Sequence, residues 1–194
     1  MRALRAALRR DLARLRDAAG RLDGSAGAPS AVLVGWDAFR AQLENHHSAE
    51  DDDLWPVLRR ELSEPGELAS VDAMVEEHRH IPPALAAVDV ALRGGGDPPA
   101  SAERLSAVVL DHLAHEEREV LPLLEQHLTP AQWRAFLRKE RNRDRICRIE
   151  GVKCAFDYDA AGAPEPLTPR GARRNVPPNR MFGTRGHRRS RHLP

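Results

Sequence analysis

The chain has 194 residues, two cysteines and a hydrophobic fraction of 41%, enough for one domain with an extension, and no run approaches the roughly 18 apolar residues of a membrane span. Cys147 and Cys154 are too few for a disulfide framework and lack zinc-ribbon spacing, so a soluble cytoplasmic protein is expected. The formal charge of +1 conceals a division, because residues 1–140 carry 17 Lys and Arg against 24 Asp and Glu (net −7), while residues 141–194 carry 13 against 5 (net +8).

From Arg2 to Arg16, Leu4, Leu8, Leu12 and Leu15 recur at helical spacing, and the glycine-rich stretch from Gly20 to Gly27 stops the pattern. Ser30 is read as the N-cap of a second helix from Ala31 to about Leu62, with Trp36, Phe39, Leu43, Leu54 and Leu58 as its apolar stripe. Glu64-Pro65-Gly66 ends it. A third helix starts near Glu67 and ends at Gly94 to Gly96, with a kink expected after Ile81 where Pro82 and Pro83 intervene. Ser101 is read as the cap of a fourth helix to about Leu128, and Thr129-Pro130 opens a short fifth helix through Trp133 and Phe136. No segment alternates with period two. The expected fold is therefore all-α: an antiparallel up-down-up-down four-helix bundle over residues 1–140, followed over 141–194 by a basic, disordered tail.

Seven of the nine histidines lie between residues 46 and 127: His46, His47, His78, His80, His112, His115 and His127. Mid-helix histidines on an apolar stripe must have their ring nitrogens satisfied, and beside carboxylates they suit a metal. The sharper signal is a repeated spacing. HHSAEDDDLWPVL from His46 and HLAHEEREVLPLL from His112 each place Glu four residues after His, Pro six after the Glu, and Leu two further on. His and Glu at that separation share one helical face. His46 and Glu50 can thus meet His112 and Glu116, with His78 on the inward stripe of the third helix beside Met74, Ile81 and Leu85.

HHSAEDDDLWP and HLAHEEREVLP resemble the two H-x3-E segments of the hemerythrin and HHE cation-binding family, and EEHRHI is similar to the histidine segment of its third helix. The likeness covers residues 1–140 and includes ALRRDLARL in the first helix. It implies a centre of two irons, bridged by oxide or hydroxide, with His46, Glu50, His78, His112 and Glu116 as ligands. The chain departs from the family at two positions. Arg5 stands where the first helix usually offers a histidine, and Met74 matches a second histidine of the third helix. One metal is then short of a terminal ligand, with water, Glu77 or nothing in its place.

Three neutral imidazoles and two carboxylates suit iron, and also zinc or manganese, but not copper(I) or an iron-sulfur cluster. The reading is a protein that binds or senses iron or a small oxidant such as dioxygen, peroxide or nitric oxide, and is not a high-turnover enzyme. Alternatives are a di-iron enzyme or peroxide scavenger using His115 or Glu117 as proton donor, or a metal-responsive module acting through the basic tail. His80, His115 and His127 are read as ordinary packing or surface residues, and His47 as a hydrogen-bonding neighbour of the site or a solvent-facing residue. Asp51 to Asp53 are read as a solvated face, with one able to support a ligand. Trp36, Trp55 and Trp133 are assigned to core packing, and Pro56 and Pro122 to matched bends. The tail, ending RGHRRSRHLP, lacks interleaved aromatics or a folded motif, so nucleic acid is not expected as a partner.

Overall fold

A computed structural model describes the backbone of residues 2–149 and the side chains within 4–143. Among the described residues every regular element is helical. The first helix, α1, is Arg2–Ala19. A composite α2 spans 30–61, in which a π-helical turn, Glu50–Leu54, joins Ser30–Ala49 to Trp55–Glu61. The next, α3, spans 65–95 as Pro65–His78, then Ile81–Val90, then a wide turn Ala91–Gly95. Then α4 spans 98–127, with a π-helical turn Glu116–Val120 between Pro98–His115 and Leu121–His127, and α5 is Pro130–Ile149.

Side-chain pairs show that neighbouring helices run in opposite directions. Arg9 reaches Glu117 and Arg16 reaches Glu103 between α1 and α4. Trp36 donates to Asp89, and Arg59 pairs with Asp72, between α2 and α3. Glu67 meets His127 and Glu77 meets His112 between α3 and α4. This is the expected up-down-up-down bundle. At one end its two glycine-rich connections interlock: Gly24 has φ +75°, and a Cβ there would lie 2.7 Å from the Gly96 carbonyl oxygen, so only glycine is accommodated.

Several local expectations are corrected. Pro29, not Ser30, precedes the first residue of α2, and no side chain caps that end. Ser101 is buried inside α4; the cap is Asp97, whose carboxylate accepts from the Ala100 N–H at 2.9 Å, with Pro98 and Pro99 in the first turn. The break in α3 falls before Ile81, at Arg79 and His80, because prolines lack the N–H that a first helical turn leaves unused, so the helix restarts with Pro82 and Pro83 in that turn. The fifth helix has 20 residues and is not short. Thr129 and Gln132 cap its start reciprocally, and it is tied along α2 by Gln132 to Glu61, Lys139 to Asp53, and Arg143 to Asp52 and Asp53. The expectation of a disordered tail falls, over 150–194, outside the described residues.

The apolar core comes in two pieces. One joins Leu4, Leu8, Leu12, Phe39, Leu43, Ile81, Leu85, Val109 and Leu113; the other joins Leu54, Trp55, Leu58, Met74, Val120, Leu124, Trp133 and Phe136. Each fully buried leucine contributes roughly 1.5–3 kcal/mol. Helix α1 packs only in the first piece and α5 only in the second, so the fourth wall of the bundle changes from one helix to the other partway along. At that level lies a buried polar layer.

Candidate metal centre

Arg5, His46, His47, Glu50, His78, His112, Glu116 and Glu140 are all buried, and they occupy the level between the two apolar pieces. Helix α2 delivers three of them because His46 and Glu50 are one turn apart and His47 and Glu50 are three residues apart, both same-face relations. Helix α4 delivers His112 and Glu116 in the same way. Both glutamates begin a π-helical turn that runs into a proline-containing helix. Pro56 and Pro122 therefore mark matched irregularities, as expected: a proline ring excludes the carbonyl four residues back, and a widened turn accommodates it.

The five residues expected to bind metal converge. The Nε2 atoms of His78 and His112 are 3.2 Å apart. Glu50 lies between the histidines, with Oε1 3.4 Å from His46 Nε2 and Oε2 3.6 Å from His78 Nε2. Two sets of buried donors each lie within 4.8 Å of one another: His47, Glu50, His78 and His112, and then His46, Glu50 and Glu116. His47 was not expected here. Its ring centroid is 4.4 Å from that of His78 and 5.1 Å from that of His112, and its buried Nε2 has no hydrogen-bond partner among the described residues. It is buried, not solvent-facing, and stands among the candidate donors.

Three of the four buried imidazoles have a carboxylate behind them. Asp51 accepts from His78 Nδ1 at 2.8 Å, Glu77 accepts from His112 Nδ1 at 3.0 Å, and Glu140 Oε1 lies 3.6 Å from His46 Nδ1. An ionised carboxylate only accepts, so the first two bonds place a proton on Nδ1, and in a neutral ring Nε2 is then a lone pair directed inward. Asp51 is thus the one aspartate of its run that supports the site, while Asp52 and Asp53 pair with α5 at the surface. Glu77 also bonds His115, which is itself partly exposed. Beside this pair a groove of about 480 Å3, lined among others by His80, Asp111 and Arg118, reaches His112 from outside. His127 is paired with Glu67 away from the layer, and Glu117 with Arg9 at the surface.

Burial, with repulsion from His78, His46 and His112, holds the His47 imidazole well below its usual range. Burial and His78 lower His112 to about 4 against the opposing hydrogen bond to Glu77. Both rings are therefore neutral at neutral pH, as a ligand must be. Burial and the neighbouring Glu116 push Glu50 well up. Burial acts on Glu116 in the same direction, but the Arg5 guanidinium outweighs it and holds that carboxyl below its usual range. The Arg5 side chain donates from Nε to Glu116 Oε2 at 2.9 Å and from Nη2 to Oε1. With both carboxylates ionised, neither oxygen of Glu50 has a donor among the described residues.

The donors suit a metal ion. Two nitrogens about 2.1 Å from a common ion, at coordination angles between 90° and 109°, stand about 3.0–3.4 Å apart, which brackets the His78–His112 separation of 3.2 Å. Without a cation, two neutral rings would turn lone pairs toward each other at that distance, and an ionised Glu50 would have no donor among the described residues, both of which are costly. Met74, by contrast, is wholly buried in the second apolar piece and brings no donor to the layer.

The family described as hemerythrin HHE cation binding domain matches residues 5–124, a span that contains all of these groups except Glu140. No curated protein and no solved structure gave a significant match.

Proposed function

The chain belongs to the hemerythrin HHE cation-binding family, and on that premise we propose that it is a non-haem iron protein that binds or senses a small oxidant such as dioxygen, peroxide or nitric oxide. The supporting observation is the pair of imidazole Nε2 atoms 3.2 Å apart, each with its Nδ1 proton committed to a carboxylate. His47, Glu50, His78 and His112 hold the ion, with His46 and Glu116 beside it. Three imidazoles and a carboxylate without thiolate favour iron, with zinc and manganese as competitors set by supply. A bound iron supplies reversible one-electron chemistry and coordination positions that four protein donors leave open. The protein contributes the rest. Asp51 and Glu77 fix the ring orientations, the two apolar pieces exclude bulk water, and the groove at Glu77 and His115 gives small molecules a route to His112.

Anaerobic titration of the full chain with Fe(II), followed by calorimetry, tests the site. Saturable binding is expected, and His112→Ala should weaken it by more than about 100-fold, the upper range for losing only an outer support. Equal affinity in the variant would refute the assignment. Nitric oxide added to the Fe(II)-loaded protein should give an electron paramagnetic resonance signal; silence would refute the small-oxidant part of the reading.

A further inference from the structure

We propose that this chain holds one metal ion, framed by His47, Glu50, His78 and His112, and that Arg5 supplies by its fixed charge what a second ion would otherwise bring. The proposal rests on the metal-binding reading above and concerns the number of ions.

The two donor sets are unequal. The first has three imidazoles and a carboxylate, and among the described residues none of the four is hydrogen-bonded to an arginine or lysine. The second has one imidazole, the same Glu50, and Glu116. Glu116 is engaged on both oxygens by the Arg5 fork, and the two side chains are 1% and 0% exposed. A guanidinium keeps its charge at any pH the protein meets, and a two-pronged pair fixes it in direction as well as position. A divalent ion entering the second set would have to share Glu116 with that fork and sit beside its positive charge. The two-iron centre implied by the family resemblance therefore does not fit the second position.

Charge in the layer points to the same number. Among the described residues, the buried groups of fixed or carboxylate charge at this level are Arg5, Glu50, Glu116 and Glu140. Fully ionised, they sum to −2. One divalent ion neutralises the layer by itself, whereas two would leave it at +2 and would need a bridging oxide or hydroxide as well, since the apolar pieces offer no counter-charge. Asp51 and Glu77 are not in this sum because they are a third or so exposed and water screens them. Glu140 belongs to it because α5, which lies wholly beyond the matched family span, brings it beside His46.

The test is the stoichiometry of the full chain, measured by anaerobic Co(II) titration followed in the visible spectrum, with metal counted after equilibrium dialysis. One ion per chain is expected for the wild type and for Arg5→Lys, which keeps the charge. Arg5→His removes the fork, frees Glu116 and adds a nitrogen, so it should take two. A wild-type endpoint at two ions would overturn the proposal, as would a folded Arg5→His variant that still stops at one. If Arg5→His fails to fold, as judged by its helical circular dichroism, the wild-type endpoint decides alone. A wild type that binds no ion refutes the metal-binding reading itself, an outcome distinct from an endpoint of two.

Discussion

Replacing Glu50 with glutamine should change the sign of its own effect according to whether metal is present. Glu50 is 0% exposed, and burial with the neighbouring Glu116 raises its carboxyl well above 4.5. In the metal-free protein at pH 7 the group must therefore either stay ionised without a donor or take up a proton. Holding a proton at pH 7 on a group that titrates at 4.5 when unfolded costs about 1.4 kcal/mol per pH unit, a few kcal/mol in all. An amide of the same shape escapes that cost and can donate to Glu116, although part of the gain is lost because its polar atoms are imperfectly paired. A net stabilisation of about 2 kcal/mol follows, which for a chain of this size raises the melting temperature by about 4–8 °C. With metal the outcome reverses. Wild-type protein at a free metal concentration 1,000 times its Kd gains about 4 kcal/mol, whereas Glu50→Gln lacks the carboxylate common to both donor sets and should gain almost nothing. Thermal unfolding of both proteins, in chelator and in excess Fe(II) under nitrogen, measures all four values. A metal-free variant that melts below the wild type, or one that keeps the full metal-dependent rise, would refute the reasoning.

Asp51→Asn and Glu77→Gln each remove the charge behind a ligand imidazole and should lower metal affinity about 10–100-fold. Competition with a chromophoric chelator measures this, and unchanged affinity would show that the carboxylates do not orient the rings. Leu58→Ala opens the second apolar piece, where Leu58 is 0% exposed, and should cost about 2–5 kcal/mol by denaturant unfolding. Its metal stoichiometry should stay unchanged, because Leu58 belongs to the apolar piece and is not one of the candidate donors. Metal-free Glu50→Gln should become more stable as pH rises from about 4 to 6.5. His112 titrates near 4 when folded but at 6.5 when unfolded, so in that window the unfolded chain binds a proton that the folded chain refuses, an effect worth about 3 kcal/mol. His47 shifts in the same direction. Glu50 opposes both in the wild type, since its raised value makes the folded state lose stability as pH rises from 4.5. A flat profile for the variant between pH 4 and 6.5 would contradict the burial of these rings.

The helices and most of the donors were legible because they follow local periodicity. The repeated His-to-Glu spacing in α2 and α4 needs only 3.6 residues per turn, and His78 shares a stripe with Met74 and Ile81. His47 escaped, although its signal was present: it stands three residues before Glu50, a same-face relation as good as the four-residue one carried by His46. Arg5 was legible as a missing histidine but not as a cation, because its role depends on meeting Glu116 across 111 residues of sequence. Glu140 sits in the charged run RKERNRDR, where polarity argues for solvent, and only the packing of α5 against α2 buries it. The π-helical turns are invisible to a periodicity test because each lasts five residues. Yet the apolar stripes carried a record of the layer itself. In α2 the stripe is broken between Leu43 and Leu54 but for the small Ala49, in α3 between Met74 and Ile81, and in α4 between Leu113 and Val120, and in an antiparallel bundle those gaps come to one level. Helices that interrupt their apolar faces with histidine and glutamate at a shared height bury those groups opposite one another, and a cation satisfies such a layer better than a further set of side chains can.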